Sequence, residues 1–284
     1  MIRLKTNVKI IIAFSKRIFL FSVDLVFIAY YSLSNIFTKG VLYENDITFI
    51  TAAEKNYFTE SISLIDSFLK HSNNKLIYFD IGLKAEQKKY LLDNYKKITV
   101  RNFEFNAHPK FVSEYIDNKL GSYAWKPIII DDILNESKSK VVWLDAGNLI
   151  NKKIIFLKIA LTAKNLVVPT SSNTIKDWTH QTTINHIGID SKNLNKNNYA
   201  SGLIGFSYKS TIVRKISEEW KTFSSIKECI APSGSSRINH RQDQAVLTLL
   251  LYKHLFNNWT AKLGYLRSNF SCGVLFHKKR IFDF

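Results

Sequence analysis

The sequence predicts an α/β fold, and three observations carry that reading. From Ile47 to Val100, apolar β-rich runs alternate with amphipathic helical segments in the order β-α-β-α-β. The first two runs end in small or acidic residues, at Ala52-Ala53 and at Asp80. Further on, Val141-Val142-Trp143-Leu144 runs straight into Asp145-Ala146-Gly147-Asn148, the pattern of a strand buried on both faces with a carboxylate at its mouth. Such alternation implies parallel strands with right-handed crossovers, a Rossmann-like half whose strand ends gather along one edge. Ligands of open α/β sheets lie beyond that edge. Asp145 is therefore either part of a ligand site or an acid that only starts the next turn.

Taken in order, the first forty residues differ from the rest. Arg3, Lys5, Lys9, Lys16 and Arg17 precede Ile18 to Phe37, an apolar and aromatic stretch interrupted at Asp24. Its length suits a bilayer-crossing helix with a cytoplasmic N-terminus. Asp24 opposes a clean span by roughly 2.5–3.5 kcal/mol near the bilayer centre, so a helix lying in the interface is the rival. Residues 1–40 are expected to be a membrane-attachment segment. Thr38 to Asp46 is then the linker to a domain facing the cytoplasm in a bacterium or the Golgi lumen in a eukaryote. No small-x-small site follows the apolar run, which disfavours a cleaved signal peptide.

Ile47 to Ala52 is the first strand, and Thr59 to Lys70 is a helix with Ile62, Leu64, Ile65, Phe68 and Leu69 at helical spacing. Lys75 to Asp80 is the second strand, Lys84 to Tyr95 the second helix and Ile98 to Val100 the third strand. The glycine fingerprints of dinucleotide sites and P-loops are missing, as is the Gly-x-Ser-x-Gly elbow of serine hydrolases. Phosphates bound here would be held by side chains or a metal instead of a glycine-rich turn. In Gly121-Ser122-Tyr123-Ala124-Trp125-Lys126-Pro127 the proline suits a first helical turn, so Lys126 stands at a helix entrance. A cation is electrostatically out of place there. Either a bound phosphate accounts for it or the lysine is solvated with its stem on Trp125.

Past Asp145, Leu166 to Pro169 reads as a strand, and Thr170 to Asn198 as a long polar loop or lid carrying Trp178 and His180. Tyr199 to Phe206 reads as one strand with glycines for close approach. Lys209 to Phe223 is helical, and a flexible turn at Pro232 to Ser236 leads to Asp243-Gln244 at the start of an apolar helix ending near Leu255. A carboxylate there is favoured by the helix dipole whatever its role. The chain closes on Val274-Leu275-Phe276-His277-Lys278-Lys279-Arg280, a short strand followed by a cationic cluster.

The composition adds charge. Lys and Arg number 40 against 23 Asp and Glu, giving +17 spread along the chain, which favours anionic partners. No DNA- or RNA-reading motif accompanies it, so nucleic acid is not expected as a partner. Cys229 and Cys272 lack the spacing of a zinc site and leave a disulfide open.

Together these pieces resemble the GT-A-fold glycosyltransferases of the glycogenin and lipopolysaccharide galactosyltransferase type, and the nucleotide-diphospho-sugar transferases related to them. The likeness runs from Ile47 to Phe284. It lies in Tyr78-Phe79-Asp80-Ile81-Gly82-Leu83, Tyr123-Ala124-Trp125-Lys126-Pro127, Trp143-Leu144-Asp145-Ala146-Gly147, Cys229-Ile230-Ala231-Pro232-Ser233-Gly234-Ser235 and His240-Arg241-Gln242-Asp243-Gln244. It implies a mixed sheet flanked by helices, with residues 41–150 as the sugar-nucleotide half and 151–284 as the acceptor half of one domain. It further implies transfer of a sugar from a nucleoside-diphosphate donor to a glycan or lipid-linked acceptor at a membrane surface.

The resemblance also implies residue roles. Ala52, Ala53, Tyr57 and Asp80 fall on the donor's side, with Lys126 and Lys278 on its phosphates. Asp145 matches the first Asp of the family's Asp-x-Asp, which holds Mn²⁺ or Mg²⁺, and His277 is the candidate for its C-terminal histidine ligand. Gly147 stands at the second Asp and cannot ligate, so Asn148 or a distant group must complete the shell or the metal is weak or absent. Asp243, with Gln244 beside it, either takes the acceptor's proton or orients the donor and steadies an oxocarbenium-like charge. Trp178 and His180 fall on the acceptor side. The rival reading is a non-catalytic protein, either a degenerate GT-A fold or a basic module for polyanions.

Overall fold

Ile47, Phe49, Ile50 and Thr51 leave strand β1 (Ile47–Ala53) closed to solvent on both faces, which suits the interior of a sheet. The structure, a computed structural model, describes residues 47–150, 154–255, 265–266 and 274–275. The membrane-attachment segment expected over residues 1–40 lies outside them, as do His277 and Lys278. No helix among the described residues is long and apolar enough to cross a membrane.

After β1 come α1 (Phe58–His71), β2 (Lys75–Asp80), α2 (Ala85–Asn94) and β3 (Thr99–Asn102), and the three strands are parallel. The hairpin β4 (Tyr115–Ile116) and β5 (Lys119–Leu120) leads to α3 (Trp125–Ser137). The chain then returns to the other side of β1 as β6 (Lys140–Leu144), again parallel, with Ile50 opposite Trp143. β1 thus lies between strands reached in opposite directions, and the crevice at its carboxyl end is a topological switch point. Ala53 and Asp145 both emerge there.

The remaining elements are β7 (Leu149–Ile150), α4 (Ile155–Lys164), β8 (Leu166–Val167), β9 (Thr170–Thr174), α5 (Ile175–Trp178), α6 (Gln181–Ile187), β10 (Asn197–Tyr199), β11 (Leu203–Ser207), α7 (Thr211–Ser224), α8 (Lys227–Ile230), α9 (Gln242–Leu255), β12 (Tyr265–Leu266) and β13 (Val274–Leu275). β11 is antiparallel to both β6 and β8, which makes the sheet mixed, in the order β12-β8-β11-β6-β1-β2-β3. Strands from both halves of the sequence therefore share one sheet. α9 is buried on almost every face and packs on α7, the pattern of a helix inside a core.

Two expectations are corrected. The polar stretch 170–198 is a folded excursion of β9, α5, α6 and β10, not a loop. Thr174 and Asp177 form a capping box, and Ile175, Ile184 and Ile187 reach the core. Tyr199 to Phe206 is not one strand: β10 pairs with β9 and β11 joins the main sheet. The break falls at Ala200-Ser201-Gly202, where the Gly202 carbonyl accepts from the Asp145 amide at 2.9 Å.

Candidate active site

Lys126 reaches its position through an unusual turn. Asp117 and Asn118, with φ of 49° and 56°, give the β4–β5 hairpin its left-handed corner. Gly121, Ser122 and Tyr123 follow with φ of 54°, 48° and 66°. Only glycine fits at 121, because a Cβ there would lie 2.3 Å from the Val112 carbonyl oxygen. The turn delivers α3 so that Trp125 Nε1 donates to the Leu120 carbonyl and Lys126 enters the interior.

The lysine is not the solvated residue of the alternative reading: it is 3% exposed. Its Nζ lies 3.0 Å from Asp145 Oδ1 and 3.0 Å from Asp243 Oδ2, above the rings of Tyr123 and Trp143. Burial pulls the Lys126 pKa down, but the two carboxylates more than reverse this and hold it above the ordinary value. Burial raises the Asp243 pKa, Lys126 opposes that, and the neighbouring Asp145 adds to the rise. An ammonium between two carboxylates leaves the group with one net negative charge, and desolvating it is repaid only while all three members are present.

Each acid is fixed from behind. Asp145 Oδ1 also accepts the Trp143 indole N–H at 2.7 Å. Asn148 is fully buried, and its Nδ2 donates to the Gly202 carbonyl at 2.6 Å. Asp243 sits just inside α9, where the Trp220 indole N–H donates to its carbonyl and the Ser201 side chain hydrogen-bonds its carboxylate. Gln242, one residue earlier, has φ of 41°, a strained value for this residue. His240 anchors the entry: its Nε2 meets the Ile230 carbonyl at 2.9 Å, and its Nδ1 accepts the His180 amide at 3.3 Å. That pair of contacts requires a neutral ring, and burial lowers the His240 pKa to about 4.

Lys126, Trp143, Asp145, Ser201, Gln242 and Asp243 line a cavity of about 1210 Å³ at the switch point. Ala52, Ala53 and Tyr57 line it too, so the structure brings together the donor-side residues at the end of β1 with Lys126, Asp145, Asp243 and Gln244. Gln244 Nε2 is buried without an acceptor among the described residues. Asp80 is not among the lining residues. Its Oδ1 accepts from the Gly82 and Leu83 amides, and its Oδ2 is 3.2 Å from Lys88 Nζ, so it closes its own turn. Trp178 and His180 are likewise absent from the lining: Trp178 stacks on Arg241, and His180 caps α6. Among the lining residues that sequence reasoning left without a role are Glu54, Lys119, Ser201, Arg237 and Arg241. Glu54 accepts a hydrogen bond from Tyr115, and its place directly after Ala53 was its only signal.

The described residues do not fit the divalent ion that the resemblance implies. Asp145 Oδ1 already serves Trp143 and Lys126, Gly147 has no ligand to give, and Asn148, whose Nδ2 donates to Gly202, adds a single buried Oδ1 that has no partner among the described residues, too few ligands for a divalent ion. Among the described residues no group of three His, Cys, Asp or Glu side chains converges. The ammonium of Lys126 stands against Asp145 where a cation would bind.

Comparison with known proteins adds the following. The family described as a protein of unknown function (DUF1647) matches residues 22–131, ending before Asp145 and Asp243. No curated protein matches the chain. Among solved structures, the crystal structure of an active-site mutant of LgtC is similar at 13% identity, over 81% of this chain and 87% of that one, with a TM-score of 0.49. The functional reading therefore rests on the residues of this chain.

Proposed function

We propose that this protein is a GT-A-type glycosyltransferase that moves a sugar from a nucleoside-diphosphate donor to a glycan or lipid-linked acceptor. The observation that carries the reading is the buried bridge Asp145–Lys126–Asp243 inside a large cavity at the carboxyl ends of β1 and β6. Buried charges of this kind, in a cavity and with displaced pKa values, are characteristic of catalytic groups.

In this reading the base and ribose lie against Ala52, Ala53 and Tyr57. Departure of the nucleoside diphosphate leaves positive charge on the sugar and negative charge on the leaving oxygen. Asp243 places a carboxylate beside the sugar, and Lys126 places an ammonium between that carboxylate and the β6 end. Gln244 contributes a free amide donor that a sugar hydroxyl can satisfy. The first forty residues would hold the domain at a membrane surface, where a lipid-linked acceptor resides.

The test is thermal stability of the full chain with uridine, guanosine and cytidine diphosphates, each with and without Mn²⁺. Saturable stabilisation by one of them, lost in Tyr57→Ala, supports the donor site. If none stabilises the protein under either condition, the transferase reading fails, and a non-catalytic fold or a basic polyanion-binding protein takes its place.

A further inference from the structure

Four acids and four cations line the cavity, Glu54, Glu60, Asp145 and Asp243 against Lys119, Lys126, Arg237 and Arg241, but they are not paired one to one. Lys126 is taken up by Asp145 and Asp243, and Glu54 is hydrogen-bonded to Tyr115. Glu60 is exposed on α1. Three further cations line the cavity, Lys119 on β5 and Arg237 and Arg241 before α9, and none has a carboxylate within 4.0 Å of its side-chain nitrogens among the described residues, although the Arg237 amide donates to Asp117 Oδ2 at 3.3 Å. Lys119 Nζ donates to the Tyr57 hydroxyl at 3.4 Å. Arg241 stacks on Trp178 with its Nε buried and unpaired.

Arg237 lies close enough to act on both of the other cations. The Arg241 pKa is lowered by burial and then by Arg237; the Lys119 pKa, pulled down by burial and slightly by Arg237, is raised overall by the Tyr123 and Tyr57 hydroxyls. Cations whose side chains are not paired with a carboxylate rely on water in an open cavity, and an anion entering it would pair with them.

We infer that Lys119, Arg237 and Arg241 form the diphosphate clamp of this site and that nucleotide binding does not depend on a divalent metal. Two independent features lead there: Lys126 already stands between Asp145 and Asp243 where a metal would sit, and the cavity lining carries three cations whose side chains have no carboxylate partner among the described residues. The inference rests on the nucleoside-diphosphate donor proposed above. It goes beyond that donor by naming the groups that neutralise it.

The experiment is calorimetric titration of the full chain with the nucleoside diphosphate that stabilises it best, in EDTA and again in Mn²⁺, with the matching nucleoside monophosphate as a second probe. Affinity in EDTA is expected within about threefold of that in Mn²⁺, and the monophosphate should bind at least about tenfold more weakly. Arg237→Ala, exposed and outside the core, should weaken the diphosphate about tenfold and leave the monophosphate nearly unchanged. Its melting temperature shows that it is folded. Binding that appears only with Mn²⁺ overturns the inference while sparing the donor reading. So does metal-free binding that Arg237→Ala and Lys119→Ala leave untouched. Absence of nucleotide binding under every condition removes both.

Discussion

Lys126 Nζ and Asp243 Oδ2 lie 3.0 Å apart, both almost closed to solvent, although one is delivered by the turn before α3 and the other by the first turn of α9. The contact ties the two halves of the domain across the cavity. Each charge is tolerable because the other is present, so the pair is a condition for the fold.

Removing one partner is therefore expected to cost more than removing both. Lys126→Met leaves Asp145 and Asp243 facing each other without a counter-ion, and about 3–5 kcal/mol of stability should be lost. Adding Asp243→Asn to that variant should restore part of the loss, since a neutral amide needs no counter-ion. Denaturant unfolding of the two single variants and the double gives the coupling. Strict additivity would mean the pair is not formed in solution.

The turn that delivers the lysine offers a second test. Gly121→Ala forces a side chain onto a left-handed backbone and against the Val112 carbonyl, and a loss on the order of 2 kcal/mol or more is expected. Gly234 provides the control, having a φ of 78° with nothing near its missing Cβ. Gly234→Ala should cost only about 1 kcal/mol, because it carries the backbone term alone. Equal losses at the two positions would show that the close approach to Val112 is not maintained.

Much of this was legible in the sequence because strand periodicity and strand-end chemistry are local signals. Val141 to Leu144 declared a buried strand, and Asp145 at its mouth was placed correctly beyond it. Lys126 was flagged by its electrostatic misfit at a helix start, yet the sequence offered no means of seeing that its partners would be carboxylates. That pairing depends on β6 and α9 meeting across the sheet, a non-local fact. Residues 170–198 were misread for the opposite reason. Their Asn, Ser and Thr content resembles a loop, but Thr174 and Asp177 spend that polarity on a cap while three isoleucines reach the core. Asp80 shows the limit of strand-end reasoning, since an acid in that position can serve its own turn.

His240 makes stability depend on pH in a stated direction. Its folded pKa of about 4 lies below the ordinary 6.5, chiefly through burial. The unfolded chain therefore binds the extra proton first, so stability is full above about pH 6.5 and falls as pH drops towards 4. A shift of this size corresponds to about 3 kcal/mol across the window. His240→Gln can reproduce both hydrogen bonds without titrating, and the slope between pH 6.5 and 4 should flatten by that amount. An unchanged slope would place the titrating group elsewhere.

Gln244 should separate stability from function. Its Nε2 is buried without an acceptor, a situation that costs about 1–3 kcal/mol for a donor closed off from water. In the proposed reading this donor is kept for a hydroxyl of the donor sugar, so the unliganded protein carries the cost and the bound sugar relieves it. Gln244→Met preserves length and removes the donor. It should raise the unfolding free energy by up to about 1 kcal/mol while reducing sugar transfer, or hydrolysis of the donor, by about tenfold or more. The nucleoside diphosphate alone, lacking the sugar, should bind this variant as it binds the parent. Lower stability together with normal turnover would mean that Gln244 is an ordinary packing residue. Equal weakening of nucleoside diphosphate and nucleotide sugar would move its contact from the sugar to the phosphates.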